Sequence, residues 1–146
     1  MRDKIIGVDI GGTTIKMALF NNDQLIDKWV IPTLIDNNGE SIPQDLIQSI
    51  RTKMAERGFS LAELRGIGIG VPGPVNDTTV KRAVNLGWKN LPLKKIIEDE
   101  LQTVVTVLND ANAAALGELW QGSDEQYKNI VFATVGTGVG GGVIVD

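Results

Sequence analysis

The segment Asp9-Ile10-Gly11-Gly12-Thr13-Thr14-Ile15-Lys16 has the residue types of a phosphate site. Its two glycines let the backbone turn tightly and let another group come close. Two threonine hydroxyls and the free N–H groups of such a turn form a donor nest that suits a phosphate. Asp9, at the end of the preceding apolar run, is placed to hold a magnesium ion directly or through water. Lys16 offers a positive charge, or is a solvated strand lysine. A plain β-hairpin with a Gly-Gly turn has the same sequence, so this stretch alone leaves both readings open.

A second cluster, Val135-Gly136-Thr137-Gly138-Val139-Gly140-Gly141-Gly142, satisfies the Gly-x-Gly-x-x-Gly spacing. A dinucleotide fingerprint must open a helix. Here Val143-Ile144-Val145 follows, which reads as a strand, and no Gly-Lys-Ser/Thr follows to make a P-loop. What remains is a second strand–Gly/Thr turn–strand unit, able to grip a polyphosphate from the side opposite the first, or an ordinary glycine-rich hairpin. Between the clusters lies Asn109-Asp110, at the junction of an apolar strand and a helical pattern. Ligands in open α/β sheets gather at the carboxyl ends of strands. Asp110 there suits a base that takes the proton of a substrate hydroxyl. Helix capping explains the same pair, and both roles fit if Asn109 caps while Asp110 projects.

The elements that must position these groups follow from periodicity. Apolar runs at 5–10, 14–20 and 24–31, joined by short turns, predict an antiparallel meander. The stretch from Pro32 to Pro43 reads as a polar loop. Leu46, Ile47, Ile50 and Met54 recur at helical spacing, with Pro43 suited to the first turn and Gly58 as the stop. Strands are predicted at 66–71 and 104–108, a short helix at 93–101, and a helix from Asn109 through Trp120 stopped by Gly122. Strands at 129–135 and 142–145 complete a β-β-β-α-β-α-β-α order followed by a β-β hairpin. The later strands, alternating with helices, should join the sheet in parallel. The ending, straight after a strand, reads as one part of something longer. Pro72-Gly73-Pro74-Val75 and Val84-Asn85-Leu86-Gly87-Trp88 flank a loop of the kind that forms ligand walls. Trp88 suits stacking on a sugar or anchoring in the core, and Trp29 and Trp120 read as core residues.

The 146 residues are 42% hydrophobic and 22% charged, an ordinary globular composition, with a net charge of -4. That charge argues against nucleic acid, which needs a basic face. No apolar run nears the ~20 residues that span a bilayer, and no signal-peptide pattern opens the chain. A cytoplasmic location is expected. The chain contains neither His nor Cys. Disulfides, thiolate nucleophiles, Cys/His zinc sites and imidazole bases are thereby excluded, leaving carboxylates and lysines for proton transfer.

Five stretches together resemble the ROK family of sugar kinases and repressors, and its bacterial glucokinases most. They are Asp9 to Lys16, Gly70 to Val75, Val84 to Trp88, Asn109 to Glu118 and Gly136 to Gly142, in the family's order and over nearly the whole chain. The resemblance implies an α/β, ribonuclease H-like domain of the actin-like ATPase fold. That domain would have a mixed five-stranded sheet with helices on both faces over residues 1–122. Residues 123–146 would start a second lobe. It implies transfer of the ATP γ-phosphate to the 6-hydroxyl of a hexose, glucose first, with mannose, fructose or N-acetylmannosamine as alternatives. ATP and Mg²⁺ are the implied cofactors. Asp9 would match the magnesium-associated acid, and Gly11, Gly12, Thr13, Thr14 and Lys16 the first phosphate loop. Thr137 and Gly138 would match the second loop. Asp110 would match the base, with Asn109, Gly73, Pro74 and Asn85 on the sugar side. Further sugar ligands of the family, a Glu and a His, and its Cys-rich zinc motif have no counterpart here, nor does the helix-turn-helix of the repressors. The chain therefore reads as the N-terminal half of a kinase, inactive alone and homo-oligomeric when complete. A non-catalytic nucleotide- or sugar-binding module is the alternative.

Overall fold

The computed structural model describes residues 1–76, 78–114, 130–135 and 139–144. Strands β1 (Lys4–Ile10), β2 (Thr14–Asn21) and β3 (Gln24–Pro32) form the expected antiparallel meander. β4 (Leu64–Val71) joins β1 in parallel, and a strand over Val105–Asn109 joins β4 in parallel. The mixed five-stranded sheet therefore has β1 at its centre, flanked by β2–β3 on one side and by β4 and Val105–Asn109 on the other.

Alternation along the strands decides which face is dry. Ile6, Val8 and Ile10 of β1, Ile15, Met17 and Leu19 of β2, and Ile67, Ile69 and Val71 of β4 are all buried. Two helices cover this face. The long helix Ile42–Glu56 buries Leu46, Ile47, Ile50 and Met54 at helical spacing, with Pro at its N-terminal turn. The shorter helix Leu93–Leu101 buries Leu93, Ile97 and Leu101. The opposite parity carries Asp9, Lys16 and Gly70, which are register partners across β2, β1 and β4. A third helix begins at 110, and its first turn packs on this other face at Gly70. A Cβ placed on Gly70 would lie 3.5 Å from both the Asp110 Cα and the Ala113 Cβ.

The loop after Pro72-Gly73-Pro74 is more structured than the periodicity suggested. It contains a two-stranded antiparallel ribbon, β5 (Val80–Ala83) and β6 (Trp88–Leu91), too short to carry a periodic signal. Val84, Asn85 and Leu86 form the helical turn that joins its strands. Trp88 is a core anchor and not a stacking platform. It is buried, and its indole Nε1–H donates to the Gly39 carbonyl at 3.1 Å.

That carbonyl sits in a second feature hidden inside the polar loop. Asn37, Asn38 and Gly39 are successive left-handed residues with φ of 51°, 58° and 64°. Asparagine tolerates that region better than other side chains, and glycine occupies it freely. At Gly39 glycine is also required by space: a Cβ would come 2.4 Å from the Leu86 carbonyl oxygen.

Three other expectations are corrected. Asn109 ends its strand instead of opening the helix, because its backbone still pairs with Val71. Trp29 is half-buried on edge strand β3, donates to Ser49 Oγ at 2.9 Å and lies under the Lys53 ammonium. In the second hairpin, β7 (Ile130–Val135) pairs antiparallel with β8 (Val139–Ile144), so Gly140, Gly141 and Gly142 lie within a strand. Trp120, Gly122 and the predicted helix beyond 114 lie outside the described residues. Among the described residues, no helix is long and apolar enough to cross a membrane.

Candidate functional site

The β1–β2 register ends with Ile10 paired to Ile15, and Gly11, Gly12 and Thr13 form the connection between the two strands. Gly11 N–H closes it by donating to the Thr14 carbonyl at 2.9 Å. Gly12 and Thr13 are exposed at its tip, with Gly11 and Thr14 half-buried beneath them. The hairpin is fastened from one side by a residue that the sequence reading overlooked. Thr33, just past β3, donates from Oγ1 to the Gly11 carbonyl at 2.7 Å and from its N–H to the Thr13 carbonyl at 2.9 Å. No local pattern marks Thr33; a turn-forming threonine after Pro32 looks like any loop residue.

Asp9 lies at the carboxyl end of β1, across from Lys16 on β2 and Gly70 on β4. Val105–Asn109 delivers Asn109 and Asp110 to the same end of the sheet. A cavity of about 410 Å³ there is lined by Asp9, Asp110, Gly70, Val8 and the small residues Ala111, Ala113 and Ala114. The alanines leave room beside the two carboxylates. Burial pushes the Asp9 pKa up; the Lys16 charge opposes this, and the Asp110 charge adds to it. A cation between these carboxylates would relieve that repulsion. Among the described residues no cluster of three or more acidic or other metal-ligating side chains exists. A magnesium ion would therefore take most of its oxygens from phosphate and water, as magnesium commonly does. Asp9 fits that arrangement.

Asn109 is locked from two directions. Its Nδ2 donates to the Gly73 carbonyl at 3.1 Å, and its Oδ1 accepts the Ala111 N–H at 3.0 Å. Capping thus falls to Asn109, and the neighbouring Asp110 lines the cavity, its Oδ1 also accepting from Ala111 N–H at 2.8 Å. Gly73 is where the chain passes closest to the ribbon: a Cβ on it would be 1.9 Å from the Arg82 carbonyl oxygen. Pro74 and Asn85 are exposed. Asn85 borders the Gly11–Thr14 hairpin, since a Cβ on Gly12 would sit 3.7 Å from the Asn85 Cβ.

The structure therefore brings two groups together: Asp9 with Asp110, and Gly12 with Asn85. Asn109 joins Gly73 to the helix that carries Asp110. Thr137 and Gly138 lie outside the described residues. A larger groove of about 460 Å³, between β3 and the long helix, contains none of these candidates.

Comparison with known proteins gives this arrangement a lineage. A glucokinase of Halalkalibacterium halodurans is 42% identical over 144 residues, covering 97% of this chain and 44% of that protein. A xylose repressor of Caldicellulosiruptor bescii is 34% identical over 145 residues, 97% of this chain and 36% of the repressor. Among solved structures, a ROK family glucokinase from Streptomyces griseus, in complex with glucose and AMPPNP, superimposes with a TM-score of 0.77. It shares 33% identity, covering 97% of this chain and 44% of that one. The chain thus spans less than half the length of each of these three relatives. The ROK family matches residues 5–146, and the chain belongs to that family.

Proposed function

We propose that this chain is the N-terminal half of an ATP-dependent hexose kinase, with glucose as its first substrate and Asp110 as its base. The observation that carries the reading is one cavity with Asp9 and Asp110 on its wall, at the end of β1 from which a Gly-Gly-Thr-Thr hairpin with an exposed Gly12-Thr13 tip continues. Similarity to a glucokinase and to a structure holding glucose and AMPPNP supports the choice of sugar and donor.

In this reading the hairpin N–H groups, the hydroxyls of Thr13 and Thr14, and Lys16 receive the phosphates. Asp9 would hold Mg²⁺, directly or through water, and the ion would neutralise phosphate charge. Thr137 and Gly138 are assigned to the nucleotide as well. Asn85, Pro74 and Gly73 border the sugar. Asn109 keeps one amide hydrogen and one lone pair beyond those it uses on Gly73 and Ala111, enough to bond a sugar hydroxyl. The Asp110 carboxylate takes the proton of the 6-hydroxyl as its oxygen attacks the γ-phosphorus. A new P–O bond forms, the bond to the β–γ bridging oxygen breaks, and ADP leaves. Such transfer depends on positioning and charge neutralisation more than on covalent chemistry. Closure of two lobes would exclude water, so the 146 residues alone are expected to be inactive. The complete protein is read as cytoplasmic and homo-oligomeric.

The test is ADP release from the full-length protein with ATP and glucose, mannose, fructose or N-acetylmannosamine. Asp110→Asn is expected to lower kcat by roughly 10²–10⁴ while glucose still binds. Near-normal turnover in that variant would refute the base assignment. Robust turnover by residues 1–146 would refute the two-lobe argument. The repressor similarity favours one other reading, sugar binding without transfer. Glucose binding by a full-length protein that phosphorylates none of the four sugars would establish it.

A further inference from the structure

We infer that Thr33 is a positioning residue that orients the phosphate hairpin for the nucleotide, an inference that rests on the kinase reading above. Thr33 is only 9% exposed and makes two hydrogen bonds to one turn. Its hydroxyl holds the Gly11 carbonyl at 2.7 Å, and its N–H holds the Thr13 carbonyl at 2.9 Å. The β2–β3 register explains how it gets there, since Thr14 pairs with Pro32 and the next residue falls opposite Thr13.

The consequence follows from peptide geometry. In a planar trans peptide the C=O of one residue and the N–H of the next point in opposite directions. Fixing the Gly11 carbonyl toward Thr33 turns the Gly12 N–H away from it. Fixing the Thr13 carbonyl does the same for the Thr14 N–H. Gly11 N–H is already spent on the Thr14 carbonyl. Thr33 therefore turns two donors of the hairpin, the N–H groups of Gly12 and Thr14, to the side away from Thr33 itself. Gly11-Gly12 is the most conformationally free dipeptide a chain can have. Without the hydroxyl, the Gly11–Gly12 peptide loses its side-chain anchor and can rotate. The backbone bond from Thr33 N–H to Thr13 survives any substitution but proline, so the hydroxyl's share can be isolated.

The experiment uses the full-length protein with Thr33→Val, which keeps the shape and removes the donor, and Thr33→Ser, which keeps the donor. ATP and glucose kinetics, and direct binding of a non-hydrolysable ATP analogue and of glucose, are measured for each. Binding is normalised to the glucose-competent fraction, so a partly unfolded sample does not distort the ratio. Thr33→Val is expected to raise the KM for ATP and the analogue Kd about tenfold, the scale of one buried hydrogen bond lost. Glucose Kd should stay within about twofold, and Thr33→Ser should restore nucleotide binding. Unchanged ATP KM in Thr33→Val, equal loss of glucose and nucleotide binding, or a Thr33→Ser variant as impaired as Thr33→Val would each overturn the inference. Wild-type protein that neither binds ATP nor phosphorylates a sugar would instead overturn the kinase reading beneath it.

Discussion

Substitution of Gly73 by alanine tests whether the ribbon and the Asn109–Asp110 corner are one mechanical unit. The added Cβ would be placed 1.9 Å from the Arg82 carbonyl oxygen and 3.0 Å from its carbon. Both obstacles are backbone, so no side chain can rotate aside. Real Cβ contacts essentially never fall under 3.0 Å, so the two segments must part by at least about 1 Å. Overpacking of this kind costs about 1–3 kcal/mol. The same movement carries the Gly73 carbonyl away from Asn109 Nδ2, now 3.1 Å distant, and a stretched hydrogen bond forfeits about 0.5–1.5 kcal/mol more. The expected destabilisation is about 2–4 kcal/mol, read as a lower urea midpoint at unchanged slope. Because Asn109 also caps the helix that begins at Asp110, under the proposed kinase function kcat/KM of the full-length protein for the sugar should fall roughly 100-fold, as for a 1 Å misplacement of a reacting group. The costs of Gly73→Ala and Asn109→Ala should be less than additive, since both remove one bond. A Gly73→Ala protein with wild-type midpoint and kcat/KM within twofold would refute the reasoning. Strictly additive losses would refute the coupling alone.

Two further substitutions probe the scaffold. Trp88→Phe retains the ring's burial but strands the Gly39 carbonyl; unfolding in urea should show a loss of about 1–2 kcal/mol, and under the proposed function the full-length protein's Kd for sugar should rise through the adjacent Asn85 turn. Asp27 on β3 receives Arg57 Nε and Nη2 at 3.0 and 2.9 Å and Lys53 Nζ at 3.2 Å from the end of the long helix. The Arg57 hydrogen bond first, then that of Lys53, holds its pKa below the ordinary 3.8. A carboxyl lowered on folding stabilises the native state above its unfolded value, and the advantage disappears as pH falls through the folded one. The stability gap between wild type and Asp27→Asn should be constant from neutral pH down to about 5, then close below about 4. A gap that persists undiminished at pH 2 would contradict the assignment.

The strands and helices were legible where burial writes a period into the sequence. Ile6, Val8 and Ile10 alternate because one face of β1 meets two helices, and Ile50 and Met54 recur because one face of a helix meets that sheet. The ribbon was not legible, because strands of four residues give alternation too few positions to register. Nor was the left-handed turn at Asn37 to Gly39, whose residues would also suit any polar loop. Its conformation becomes necessary only once Leu86 and Trp88 are packed against it. Asn109 was misassigned for a related reason. Its side chain does the work of a cap while its backbone still belongs to the sheet, and a one-dimensional pattern sees only the cap.

Thr33 carries the same lesson into the site. Asp9 and Asp110 stand out by type, as carboxylates at the end of the sheet where ligands of open α/β folds gather. Thr33 acts through backbone carbonyls of residues some twenty positions earlier. Such a contact has no signature in composition, motif or period, because a carbonyl is present at every residue and imposes no choice of side chain on its partner. What makes the contact necessary is the freedom of Gly11-Gly12 itself. A turn loose enough to admit a phosphate closely is also loose enough to present its carbonyls instead of its N–H groups. The glycines and the threonine that restrains them are therefore one device, of which only the first half is visible as a motif.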